Sequence, residues 1–263
     1  MTPDEAVRRL AVAGCVDPVA EVQELARWAP QGFGGWSVPA DWVRRRSLGT
    51  PLAWVTGHAC LGGLDVRVAP GVYPPRPWSA ELALIAASHL AGFPLSGGGR
   101  MLDLCTGCGA VAALVAQRRP TAFVVGVDLD PAAAACARSN GVIAVIGDLD
   151  SSLDPAARFD VVTAVAPYVP TAALTNAGGV VPDVAAFEPV VALDGGVDGL
   201  EVLRRVVRVA AQRLASDGWL VVEVGGEQDR ELVPALAAAG FSEVTPWYDA
   251  DGDLLGIAAR RQR

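Results

Sequence analysis

Residues 103 to 109 read Asp-Leu-Cys-Thr-Gly-Cys-Gly, after a short apolar run from Met101 to Leu104 and before an Ala/Val-rich stretch ending at Arg118. Glycines such as Gly107 and Gly109 let a backbone approach a bound group closely. The free N–H groups at the start of a following helix then face that group. A turn with no ligand would read the same way, and the G-x-G-x-x-G spacing of a dinucleotide site is absent. Two further features add chemistry. Asp128 ends the next apolar run, about 20 residues past the turn, where a carboxylate can accept from both hydroxyls of a ribose. Capping the next helix, the competing role, falls to Asp130 before Pro131. Gly147-Asp148-Leu149 follows the third run, where a carboxylate can accept from an adenine amino group. Three such features, in this order at the carboxyl ends of strands, outline a crevice for a nucleoside. The missing second phosphate-binding glycine points to S-adenosylmethionine (SAM) rather than a dinucleotide.

Cys105 and Cys108 form a C-x-x-C pair inside the same turn. A structural zinc site needs four ligands, and His58 and His89 are the only histidines. A redox pair would open a thioredoxin-like helix. Packed thiols are the simpler reading, for this pair and for Cys136 in its alanine-rich stretch.

The elements that must position these residues are legible from pattern. Thr2-Pro3 with Glu5, and Asp17-Pro18, start two helices. A Gly/Pro-rich break spans Pro30 to Pro39, and a third helix covers Ala40 to Leu48. Residues 58 to 69 carry Gly62-Gly63 and suit a short hairpin. Pro70 to Pro77 is loop, Ser79 caps a helix to Leu90, and Ser96 to Gly99 is a connector. From Arg100, apolar runs alternate with helices: strands at 101–104, 122–127, 142–146, 160–165 and 219–224, then a closing pair at 241–247 and 254–258. Such alternation predicts an α/β fold with a largely parallel sheet covered on both faces. The division expected is an N-terminal helical domain over residues 1–70 and a cofactor-binding catalytic domain over 71–263.

Composition excludes several classes. The chain has 263 residues, a net charge of −8 and no lysine. That balance is poor for general nucleic-acid binding, which neutralises phosphates. No run of about 18 apolar residues suits a membrane span, and the first ten residues carry Asp4, Glu5, Arg8 and Arg9 rather than a secretory core. A cytoplasmic location is expected.

The chain resembles the HemK/PrmC family, the glutamine N5-methyltransferases that modify peptide release factors. The likeness runs through Pro51 to Gly57, Gly71 to Pro77, the turn from Asp103 to Gly109, Ala166 to Pro170, Phe187-Glu188-Pro189, Ala192 to Leu200 and Glu223 to Gln228. It implies a seven-stranded, Rossmann-like class I SAM-dependent methyltransferase domain behind a small helical one. It assigns SAM binding to Asp103, Cys105, Thr106, Gly107, Cys108, Gly109, Asp128, Asp148, Leu149 and Val165. In the family an Asn-Pro-Pro-Tyr motif holds the substrate amide, a role that falls here on Val165, Ala166, Pro167 and Tyr168.

The chain departs from the family at that motif. Valine offers neither the donor nor the acceptor of an amide. The family's Glu-Thr-Glu after the proline is replaced by Trp78-Ser79-Ala80, and Cys105 replaces a glycine. Tyr168 reads as a substrate-side residue or as core, and Glu188 as a site residue or a surface charge. Three activities remain open: methylation of a peptide release factor, methylation of a small molecule or biosynthetic intermediate, and SAM binding with little catalysis. No metal is expected.

Overall fold

The computed structural model describes residues 1–30, 37–92, 98–175 and 187–262. Two helices open the chain where their start signals stand. Thr2 accepts from the Glu5 N–H at the head of α1 (Pro3–Val12), and Asp17 accepts from the Ala20 N–H at the head of α2 (Pro18–Trp28). α3 (Ala40–Ser47) and α4 (Leu52–Thr56) complete the group. Leu10, Val22, Leu25, Val43 and Val55 give these helices a small core of their own.

A hairpin follows. β1 (His58–Leu61) and β2 (Leu64–Arg67) pair antiparallel around Gly62-Gly63, both at positive φ, as a two-residue turn with matching twist requires. Leu61 and Val66 pack with Leu114 in the core beneath the main sheet. Asn140 pins the hairpin in place. Its Oδ1 accepts from Arg67 N–H at 2.8 Å, and its Nδ2 donates to Arg67 O at 2.9 Å and to Cys108 O at 2.8 Å.

After α5 (Ser79–Leu90), strands and helices alternate: β3 (Arg100–Leu104), α6 (Ala110–Arg118), β4 (Phe123–Asp128), α7 (Pro131–Ser139), β5 (Ile143–Ile146), β6 (Phe159–Ala164), α8 (Thr171–Thr175), α9 (Val190–Leu193), α10 (Glu201–Arg213), β7 (Leu214–Glu223), α11 (Asp229–Ala238), β8 (Phe241–Tyr248) and β9 (Leu254–Arg261). The seven strands from β3 onward form one sheet, ordered β5-β4-β3-β6-β7-β9-β8. The first five are parallel, and β9 inserts antiparallel between β7 and β8.

Side chains alternate between two cores, as the period of two demands. Met101, Val161 and Val221 face α5, α6 and α7, while Leu102, Val162 and Leu220 face α10 and α11. From β3 the chain winds outward through β4 and β5, then returns to continue the other way through β6 and β7. Ligands of open α/β sheets lie at such a switch point, outside the carboxyl ends of the strands.

Ser79 does not cap α5. It lies within the helix after Trp78, and its hydroxyl donates to Glu223 at 2.6 Å. A carboxylate is the stronger acceptor, so this long-range bond displaces the local one. The sequence reading also passes over α4, whose five residues are too few to show a helical period. Residues 31–36 of the Gly/Pro-rich break, and Ser96 and Gly97 of the connector, lie outside the described residues. Among the described residues no helix is long and apolar enough to cross a membrane.

Candidate active site

The carboxyl ends of β3 to β6 surround a cavity of about 450 Å3, within the roughly 300–1,000 Å3 common for small-molecule sites. The turn after β3 forms its floor, and the two glycines there differ in purpose. A Cβ on Gly107 would meet nothing within 4 Å, so that backbone is open to a ligand. A Cβ on Gly109 would approach Ala137 Cβ at 2.9 Å and Val142 Cγ2 at 3.0 Å, so this glycine serves the packing of α6 on α7. Cys105 holds φ at 55°, in the left-handed region, which costs an L-residue about 1–2 kcal/mol.

Asp103 is not on the cavity wall. It is 2% exposed, with Oδ2 accepting from Thr106 Oγ1 and Oδ1 from Thr163 Oγ1, both at 2.6 Å. Burial pushes its carboxyl up to about 6, against the pull of the two hydroxyls. It supports the turn from below.

Asp128 does line the cavity. Its Oδ2 accepts from the Gly107 N–H at 2.7 Å and its Oδ1 from the Asp130 N–H at 2.9 Å. Burial raises its pKa, and the two backbone donors oppose that. Asp148 lines the wall too, with both oxygens 2.7 Å from Nη2 of Arg205 on α10. Leu149 beside it adopts a φ of 52°.

Opposite the turn, Val165 and Pro167 reach the cavity, joined by Val190, Val191 and Ala192. Ala166 turns away into the core under α10. Tyr168 sits one layer back, its hydroxyl 3.3 Å from Glu223 and its carbonyl accepting from Gln228 Nε2 at 2.8 Å. Glu188 is no surface charge: its carboxylate receives both oxygens' bonds from Arg76 Nη2, at 2.6 and 2.7 Å, and its side chain is 2% exposed. Arg76 Nε also donates to Tyr73.

The family described as "Methyltransferase domain" matches residues 101–181. The release factor glutamine methyltransferase of Moorella thermoacetica is 33% identical, across 98% of this chain and 97% of its own. The chain belongs to the HemK/PrmC-like family of SAM-dependent methyltransferases. Another relative, the 4-amino-L-phenylalanine/4-methylamino-L-phenylalanine methyltransferase of Streptomyces pristinaespiralis, is 36% identical across 76% of this chain and 70% of its own. Among solved structures, the T. Thermophilus 16S rRNA N2 G1207 methyltransferase in complex with AdoMet and guanosine aligns with a TM-score of 0.55. That match covers 78% of this chain and 50% of the other at 22% identity, a likeness of fold. The sheet order is that of the class I methyltransferases.

In this methyltransferase the cysteines of the turn are not thiolates. Burial pushes the Cys108 thiol up to about 12 and raises that of Cys105, whereas reactive cysteines titrate low. Among the described residues no group of three or more His, Cys, Asp or Glu side chains gathers for a metal. His58 stacks on Trp28 and His89 on Trp219, at 3.7 and 3.8 Å between centroids, both in packing roles. The sequence reading missed Arg205, Ser79 and Tyr73 as wall residues, and Trp78 and Glu223 behind them. Tyr73, Ser79, Trp78 and Glu223 lie in or beside the family-like segments at 71–77 and 223–228, and Arg205 lies just past the one at 192–200.

Proposed function

We propose that SAM occupies this cavity with its ribose hydroxyls on Asp128, its adenine amino group on Asp148 and its methionyl portion over Gly107. Thr106, Cys108 and Leu149 complete the contacts. The methyl then points at Val165 and Pro167, and the acceptor is the nitrogen of a small, largely apolar amine.

The observation behind this reading is Val165 on the wall, in the family's amide-clamp position. Among the described lining residues there is no asparagine or glutamine. Tyr73 and Ser79 contribute hydroxyls, and Asp194, just past Val190–Ala192 in the chain, contributes a carboxylate that already accepts from Thr171 Oγ1 and the Gly196 N–H. A carboxamide nitrogen has its lone pair delocalised into the carbonyl and must be clamped and aligned. An amine keeps more of its lone pair on nitrogen, an arylamine included, since a ring withdraws it less than a carbonyl does, so position is the main requirement. The relative named for 4-amino-L-phenylalanine supports an arylamine in particular.

The second reading is a release factor glutamine, favoured by the relative matched along nearly the whole chain. Transfer of labelled methyl from SAM separates the two. The acceptors are a panel of small arylamines that includes 4-amino-L-phenylalanine, and a release factor bearing its Gly-Gly-Gln motif. Label on an amine alone supports the first reading. Release factor methylated at a normal family rate installs the second, and label on neither points to SAM binding with little catalysis. Residues 1–70 serve in this proposal as the acceptor-recognition unit, residues 71–263 as the catalytic domain, and the protein acts in the cytoplasm without nucleic acid.

A further inference from the structure

Glu223 ends β7 behind the acceptor side of the cavity and is 2% exposed. Its Oε2 accepts from Ser79 Oγ at 2.6 Å, and its Oε1 accepts from Trp78 Nε1 at 3.0 Å and from Tyr168 Oη at 3.3 Å. All three donors are neutral. The nearby cation, Arg76, is committed to Glu188 and Tyr73. A buried carboxylate ordinarily carries a cationic partner, or else takes up a proton. Burial raises the pKa of Glu223, and its three hydrogen bonds oppose the shift. Ser79, bonded to it, forms part of the cavity wall. A proton leaving the cavity at Ser79 therefore finds a carboxylate 2.6 Å beyond.

We propose that Glu223 is the proton terminus of methyl transfer, reached through the Ser79 hydroxyl. The proposal rests on the amine reading of the acceptor and deepens it. The amine lone pair forms the new N–CH3 bond as the methyl–sulfur bond of SAM breaks, its electron pair staying on sulfur. The nitrogen is left cationic with a proton to shed. That proton moves to Ser79 Oγ while the Ser79 proton moves to Glu223 Oε2. The products are a neutral methylamine, S-adenosylhomocysteine and a neutral Glu223, which returns its proton to water on release. Glu223 touches no substrate and is a positioning residue. The groups that bear on its titration are Arg76 and Tyr73 from the loop before α5, Trp78 and Ser79 at the start of α5, Tyr168 from the loop after β6, and Glu188 through Arg76. Glu223 must be ionised to accept, so turnover falls as pH drops through its raised pKa.

Infrared difference spectra of the S-adenosylhomocysteine complex read this carboxyl without any acceptor. The expected result is a protonated-carboxyl band that titrates above the ordinary glutamate range, vanishes in Glu223→Gln and shifts in Ser79→Ala. A Glu223 that titrates as an exposed glutamate, or a band that Ser79→Ala leaves in place, overturns the proposal. On whichever acceptor the wild type methylates, Glu223→Gln lowers kcat on the order of 10²-fold, as loss of acid–base help does. It also removes the acid limb of the pH profile, leaves the Kd for S-adenosylhomocysteine unchanged, and is partly rescued by Glu223→Asp. Turnover by Glu223→Gln near the wild-type rate overturns the proposal on any acceptor. If no arylamine takes label, the amine reading fails alone, and the infrared titration still decides for or against Glu223.

Discussion

The carboxylate of Asp128 and the N–H of Gly107 meet at 2.7 Å, so one side chain ties the end of β4 to the open glycine of the turn after β3. In the proposed pose the same carboxylate, on the cavity wall, holds the ribose. Removing it takes away the ligand's acceptor and the support of the backbone beneath the ligand together.

Asp128→Ala is therefore expected to weaken binding of SAM and S-adenosylhomocysteine. Hydrogen bonds to charged groups are worth about 1.5–3 kcal/mol, which is roughly 10- to 150-fold in Kd. Calorimetry on both ligands measures it, and equal binding by the variant would refute the assignment.

Cys105 is expected to show its backbone strain through a pair of variants. Gly ordinarily lies about 0.5–1 kcal/mol below Ala in regular structure. At a φ of 55° the order reverses, because the left-handed region costs Ala about 1–2 kcal/mol. Cys105→Gly should then melt above Cys105→Ala, by roughly 1–3 °C in a chain of this size. Both should bind SAM and neither should hold zinc.

Asp103 makes stability depend on pH. Its folded pKa, about 6, lies above its free value of 3.8. Between those values the folded chain binds more protons than the unfolded one, so stability falls as pH rises from about 4 to 6. The size is about 2–3 kcal/mol at 1.36 kcal/mol per unit. Denaturant melts across that window should slope downward in the wild type and flatten in Asp103→Asn.

Val165→Asn restores the amide that clamps a glutamine in the family. A positioned hydrogen-bond partner of this kind is worth on the order of 10²–10³ in rate. The variant should gain methylation of a release factor bearing Gly-Gly-Gln, measured by label from SAM, with unchanged affinity for the cofactor. A wild type that already works at family speed would show the valine to be harmless.

What the sequence revealed depended on distance along the chain. The glycine turn, Asp128 and Asp148 each follow a short apolar run, so local spacing located them and the strand order brought them together. The capping roles of Thr2, Asp17 and Asp130 were legible for the same reason, since each cap acts within three residues. Local spacing could not pair Arg76 with Glu188, 112 residues apart, or Ser79 with Glu223, 144 apart. The family resemblance put Asp103 among the SAM-binding residues, whereas its carboxylate faces the buried hydroxyls of Thr106 and Thr163 and lies off the cavity wall. Asp148 carried no mark of Arg205, which arrives from α10.

Asn140 joins the hairpin at Arg67 to the turn at Cys108 O, through one amide. The rotation of the first four helices is thereby referred to the same strip of backbone that lines the cavity. Modularity follows. Exchange of α1 to α3 leaves this pin untouched, whereas α4 has to stay, since Ala53 and Trp54 pack on the core beneath the sheet and Trp54 Nε1 donates to the carbonyl of Val72 on the cavity wall. Under the proposed division of labour, acceptor recognition then changes at one end of the chain while the donor site at the other is inherited.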